Sequence, residues 1–354
     1  MNKFNGLGVH IPTILLPIES LDYRKWAVIA CDQYTSQPEY WKEVEAFVGD
    51  APSTLNMILP EVYLESEDEL TRIENTKNTM DEYLHNGIFK EFNGFILVER
   101  NVAGKSRHGI VLALDLEKYD FSIGSQTLIR ATEGTIIDRL PPRIRIREGA
   151  KLEFPHILVL IDDPDMSVIE PFIQQKDKLE KLYDFELMKN SGHLRGYGIQ
   201  NDDDINQLGN ALSQLANPHQ FKKNYGQNKE LGVLLFAMGD GNHSLATAKS
   251  IWEEMKPAVG MNHPARYALV EIENIHDSGL EFEPIHRVLF NLKQDPIENM
   301  KQFWQNQIEI EDCLNANEMI MKVDQQNHAT HNFGLVINDT YNVVEIKHLT
   351  SNLP

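Results

Sequence analysis

The chain has 354 residues, with 33 Lys+Arg against 53 Asp+Glu and a formal charge of −20. Its 42% hydrophobic and 24% charged content belongs to a globular protein with an ample core, and the length predicts roughly two domains. That acidic balance argues against nucleic-acid phosphates and anionic lipid as partners, leaving small molecules as the expected ligands.

Two cysteines, Cys31 and Cys313, lie outside any CxxC spacing, which argues against a disulfide framework or a cysteine-built zinc site. The opening stretch MNKFNGLGVHIPTILLPIES is apolar but interrupted by His10, Pro12 and Pro17. It lacks a basic leader and a small-residue cleavage site, so it does not read as a signal peptide. No run approaches a membrane-spanning length. The expectation is a cytoplasmic protein with no membrane partner.

In chain order, Trp26 to Ala30 predicts a strand, followed by a helix opening on the capping box Ser36-x-x-Glu39 with Pro38 in its first turn. Asp32 and Tyr34, between the two, form a candidate site wall. A helix is predicted over 66–86 with Leu70, Ile73, Met80 and Leu84 on one face. The stretch 94–116 reads as two strands joined by a turn at Gly104. Helices are predicted over 168–186 and 202–215, the second with Ile205, Leu208, Leu212 and Leu215 in phase. A strand over 231–238, its helix, the strand ARYALVEIE, the helix IENMKQFWQNQI and a hairpin around Asn338 to Asn342 complete the chain.

Strands and helices interleave without a strict βαβ rhythm, which predicts α+β with mixed sheets rather than a doubly wound sheet. The polar, glycine-containing stretch 188–204 is the sharpest shift in composition. It suggests lobes at 1–187 and 188–354, packed as one unit around a shared cleft. Nothing in the sequence indicates an oligomeric state.

The stretch FAMGDGNHSLATAK, 236–249, carries the strongest chemical signal. An apolar strand ends in Gly239-Asp240-Gly241-Asn242-His243-Ser244, and a helical pattern begins there, running to Lys256-Pro257. Glycines let backbone approach a ligand, and a helix N-terminus favours an anion. Two readings fit: a phosphate cradle, or an ordinary strand-to-helix turn capped by Asn242 or Ser244. A Walker A loop is excluded, because Gly104-Lys105-Ser106 has Glu99 where the first glycine belongs. A dinucleotide fingerprint also fails, with Ser244 in the third glycine position and Asp240 beside the supposed pyrophosphate. Mg²⁺ held by Asp240 resolves that repulsion. His328 and His331 lack a carboxylate at ligand spacing and read as surface residues.

A second constellation, IRATEGTIIDRLPPRIRIREGAKLEFPH, offers Glu133 as base, Thr135 as hydroxyl, Asp138 as second acid and Arg139 as anion clamp. Arg143, Arg145 and Arg147 alternate with Ile144 and Ile146, a basic face if the segment is a strand. The alternative is a solvated edge or helix face held by neighbouring acids. A third, HDSGLEFEPIHRVLF, places His286 and Arg287 together, a pair able to hold an anion or to serve as cap and core.

In order, Cys31-Asp32-Gln33-Tyr34, Leu59-Pro60-Glu61, Thr132-Glu133-Gly134-Thr135 through Asp138-Arg139, the GDGNH box, and Gly279-Leu280 with Pro284, His286 and Arg287 resemble the landmarks of the family called domain of unknown function 1015. The box also resembles the DGHHR element of free-serine kinases of the ParB/sulfiredoxin-like superfamily. Asp240, Gly241 and His243 match it, while Asn242 and Ser244 depart from it. The resemblance implies a ParB/sulfiredoxin-like element at 231–256 and a small-molecule phosphotransferase, with free serine as acceptor and a nucleotide or pyrophosphate with Mg²⁺ as donor. Phosphate would sit on residues 239–244 with Thr135, His286 and Arg287, while Glu133, Arg139 and His243 carry catalysis. A phosphatase using the same cradle and a non-catalytic nucleotide-binding regulator are the rival readings.

Overall fold

The computed structural model describes residues 4, 6–135, 140–154, 157–225, 231–280, 286–325 and 330–347. They form an α+β protein that divides by contacts into Met1–Glu281 and Phe282–Pro354. No helix among the described residues is long and apolar enough to cross a membrane.

The first unit begins with β1 (Val9–His10), β2 (Thr13–Pro17), α1 (Tyr23–Trp26), α2 (Pro38–Val48) and α3 (Glu69–His85). Five strands follow: β3 (Phe89–Asn93), the paired β4 (Phe95–Val102) and β5 (Lys105–Asp115), then the short β6 (Tyr119–Asp120) and β7 (Ile129–Arg130). Next come α4 (Leu140–Arg147), β8 (Leu158–Ile161), α5 (Glu170–Gln174), β9 (Glu180–Glu186) and β10 (His193–Ile199). The unit ends with α6 (Asp202–Leu215), α7 (Pro218–Tyr225), β11 (Phe236–Asp240), α8 (Asn242–Val259) and β12 (Tyr267–Asn274).

Ten of these strands make one mixed sheet in the order β6-β7-β11-β8-β12-β5-β4-β10-β9, with β1 on β5 beyond the end of β4. The pairs β6–β7, β7–β11 and β8–β12 are parallel and the others antiparallel. Leu97, Ile110, Ile272, Val159 and Met238 lie in one register row and share a face. That face packs on Phe172 of α5, Leu208 and Leu212 of α6, and Leu245, Ala248 and Trp252 of α8. Trp252 is fully buried, yet its indole N–H donates to Glu117 Oε1 at 2.6 Å, so its polar atom is satisfied. On the other face, the antiparallel β2–β3 pair lays Ile14, Leu16 and Phe92 against Ile96, Val98 and Leu182.

Local signals are obeyed where the turn chemistry is strong. Ala103 and Gly104 both take positive φ and join β4 to β5 in the expected hairpin. α6 appears as expected, capped by the Asn201 side chain on the Asp204 N–H. The strand expected over Trp26 to Ala30 is absent. Asp22 instead caps a single helical turn at Arg24, which swings Trp26 into a cluster with Met57, Met80 and Tyr83. Pro38 does open α2, but the N-cap is Gln37 and no side-chain cap bond forms, so the Ser36–Glu39 box is not made. α3 buries Ile73, Thr76, Met80 and Tyr83, whereas Leu70 is 73% exposed. The helix expected over 168–186 stops at Gln174, and its second half is β9, zipped to β10. The stretch 188–204 holds the turn between these paired strands, β10 itself and the start of α6, and the chain divides by contacts at 281/282. α8 runs past Lys256 with Pro257 in its last turn and ends at Gly260, φ +77°.

The second unit holds α9 (Pro296–Trp304), β13 (Ile308–Cys313), α10 (Ala316–Asp324), β14 (His331–Ile337) and β15 (Thr340–Ile346). Its strands form an antiparallel sheet ordered β13-β15-β14. The β14–β15 turn is the expected one, with Asn338 and Asp339 at φ 45° and 66°.

Candidate active site

Both glycines of the 239–241 box have a backbone reason. The β11–β8 ladder shifts register between Met238 (opposite Val159) and Asp240 (opposite Leu158), which makes Gly239 the extra residue of a bulge. A Cβ there would lie 3.0 Å from Leu160 Cγ and 3.3 Å from the Leu158 carbonyl oxygen. Gly241 is the N-cap of α8 in the left-handed region, φ 85° and ψ 25°. The ordinary-turn reading therefore accounts for the glycines themselves.

It does not account for the polar groups around them. α8 begins without any side-chain cap bond, contrary to the expected cap from Asn242 or Ser244, and it has no acid in its first turn. Asp240 is exposed, and among the described residues its Oδ1 accepts the Gly241 N–H alone, at 2.7 Å. Asn242, the first helical residue, is 6% exposed, and its Oδ1 is buried without a hydrogen-bond partner. Such an orphan costs about 1–3 kcal/mol. His243 is half-buried, and its carbonyl accepts the Thr247 hydroxyl at 2.8 Å.

The segment 131–135 arrives at the same place. β7 lies parallel to β11, with Ile129 opposite Phe236 and Arg130 opposite Ala237. The Thr132 hydroxyl then donates to the Met238 carbonyl at 2.6 Å. The two chain segments thus leave adjacent parallel strands at their carboxyl ends, where open sheets carry their ligand crevices. Glu133 is exposed there, and Thr135 Oγ1 is buried without a partner. Asp138 and Arg139 lie outside the described residues, as does His328.

The alternating arginines are on a helix, not a strand. Pro141 and Pro142 occupy the first turn of α4, where missing N–H groups cost nothing. Arg143 pairs with Glu61 at 2.5 Å, Arg145 with Glu69 at 3.1 Å, and Arg147 with Glu153. A backbone N–H from Glu65 and the Arg145 guanidinium hold the Glu69 carboxyl below its usual range. Acids therefore occupy all three arginines, and Arg147 also donates to the Ser244 carbonyl at 3.2 Å. That link between α4 and the first turn of α8 was visible in sequence only as one member of the RIRIR run.

The candidate wall at Asp32 and Tyr34 is tied to α4. Glu61, the partner of Arg143, donates its N–H to the Cys31 carbonyl at 2.7 Å. Tyr34 adopts φ 53° and stacks on Tyr40 with ring centroids 3.8 Å apart. Burial, with Asp32 and Glu61 adding, pushes the Cys31 thiol up to about 12, so it is no nucleophile at neutral pH. His286 and Arg287 are exposed residues of the second unit. Among the described residues, no group of three His, Cys, Asp or Glu is placed to hold a metal by itself. A divalent ion at Asp240 would take its remaining ligands from bound phosphate and water.

The family model described as "Protein of unknown function (DUF1015)" matches residues 15–353, nearly the whole chain. No curated protein and no solved structure matches it.

Proposed function

We infer that this chain, which belongs to the DUF1015 family, is a small-molecule phosphotransferase with free serine as the candidate acceptor. The observation that carries the reading is the convergence of the Glu133 segment and the GDGNH box at the carboxyl ends of β7 and β11, joined by the Thr132–Met238 bond. The uncapped start of α8 and the unpartnered oxygens of Asn242 and Thr135 support a ligand at that point.

In this reading the first-turn N–H groups of α8 bind the transferring phosphate, with His243 and Ser244 beside it. Glu133 takes the proton of the acceptor hydroxyl, whose oxygen attacks the terminal phosphorus as the donor's phosphoanhydride bond breaks. Asp240 is the carboxylate that would hold Mg²⁺, which when bound shields donor phosphate charge. Arg139 is retained as an anion contact. The strand–GDGNH–helix resemblance to ParB/sulfiredoxin-like serine kinases points to the same chemistry.

The test is incubation of the purified chain with L-serine, Mg²⁺ and ATP, ADP or pyrophosphate in turn, followed by ³¹P NMR. Phosphoserine is the expected product. Inorganic phosphate without phosphoserine would make the protein a phosphatase, and donor binding without turnover would make it a regulator.

A further inference from the structure

The two edges of the second unit's sheet differ in chemistry. β13, IEIEDC, carries Glu309, Glu311 and Asp312, the acidic blunting by which sheets avoid pairing edge to edge. β14, HNFGLVI, is seven residues long with no Asp, Glu, Lys, Arg or Pro, and among the described residues only β15 pairs with it.

The β14–β15 turn sets which main-chain groups face that open edge. In a two-residue hairpin the flanking pair, here Ile337 and Thr340, exchanges hydrogen bonds. Alternation then turns the main-chain groups of Phe333, Leu335 and Ile337 toward β15. Those of Asn332, Gly334 and Val336 point outward. Val336 is 54% exposed, and α10, which packs over this sheet, exposes Ile320 and Met321 at 52% and 65%. Met319 of α10 fills the space that a Cβ on Gly334 would take.

We propose that β14 is a self-association edge, on which a second copy of this chain pairs antiparallel about a two-fold axis at Gly334. This register sets Gly334 against the partner's Gly334 and Asn332 against the partner's Val336. It makes about six main-chain hydrogen bonds and joins the two sheets into one. The register is self-complementary, and it sets no acidic side chain of β14 against its copy on a chain carrying −20. The same operation on β13 would oppose acids to acids. The neighbouring Ile320 and Met321 surface supplies apolar area beside the seam.

The test is the mass of the full chain in solution by light scattering after size exclusion. The wild type should run at twice the 40.6 kDa chain mass. Val336→Pro removes an outward N–H that β15 does not use, so the hairpin persists while the mass halves. Two double variants guard against a folding artefact. N332E/V336E opposes like charges across the axis and should be monomeric, whereas N332K/V336E opposes unlike charges and should remain dimeric. A wild type at the mass of one chain overturns the proposal, as does any wild-type dimer that keeps its mass in both Val336→Pro and N332E/V336E. Equal masses for the two double variants overturn it as well.

Discussion

Glu273 on β12 lies opposite Gly109 of β5 and Leu160 of β8 and is fully buried. Arg107 Nε stands 2.8 Å from its Oε1, but the N–H is not aligned, and neither carboxylate oxygen has a hydrogen-bond partner. Burial, reinforced by Glu271 and opposed by Arg107 and Arg100, pushes its carboxyl from the ordinary 4.5 up to about 7. Because the folded state holds this proton more tightly, the group's contribution to stability is full below pH 4.5. It declines as pH rises toward 7. At 1.36 kcal/mol per pH unit, the loss across that window is about 3 kcal/mol. Glu273→Gln keeps the shape and the neutral form at every pH. The stability of the variant relative to wild type should therefore climb by about 3 kcal/mol between pH 4.5 and pH 8. Urea unfolding followed by tryptophan fluorescence reports it, since Trp26, Trp41 and Trp252 are all buried in the first unit. Taking the difference between the two proteins cancels the carboxylates that titrate in the opposite sense, such as Asp184, which Lys181 and His193 hold at about 2. A stability difference that does not change with pH would refute the reasoning.

Glu133→Gln should lower phosphoserine formation by about 10²–10⁴-fold, with an unchanged urea midpoint because the side chain is exposed; retained turnover removes the base. Gly241→Ala places a side chain at φ 85° and should cost about 1–3 kcal/mol in urea unfolding, as well as weakening phosphate binding; a neutral change in stability would deny the left-handed cap. Donor affinity measured by calorimetry should fall when EDTA is added, and equal affinity with and without EDTA would release Asp240 from the metal role. Arg139→Lys keeps the charge but loses the planar two-point contact, so turnover should fall; an unchanged rate would return Arg139 to an ion pair.

What the sequence determined by itself is local. Gly104 and the Asn338-Asp339 pair are short-range turn signals, and both hairpins form where they stand. The period of Leu208 and Leu212 likewise marked α6, whose caps and core face need only neighbouring residues. The box at 239–244 was legible as a strand meeting a helix, and its glycines as turn residues. Where two local signals compete, packing decides. Arg143 to Arg147 has a strand's alternation, but Pro141-Pro142 starts a helix, and Glu61, Glu69 and Ser244, all distant in sequence, hold its arginines. Trp26 sits in an apolar run that reads as a strand, yet a large ring gains more by entering the Met57–Met80–Tyr83 cluster than by lying in a sheet. The candidate site depends on such long-range terms. Glu133 and Asp240 stand 107 positions apart, and neither residue carries any mark of the other. Their segments come together only because Ile129 and Arg130 pair in parallel with Phe236 and Ala237 and Thr132 bonds to the Met238 carbonyl, a register chosen by burial of the sheet's faces rather than by any local preference.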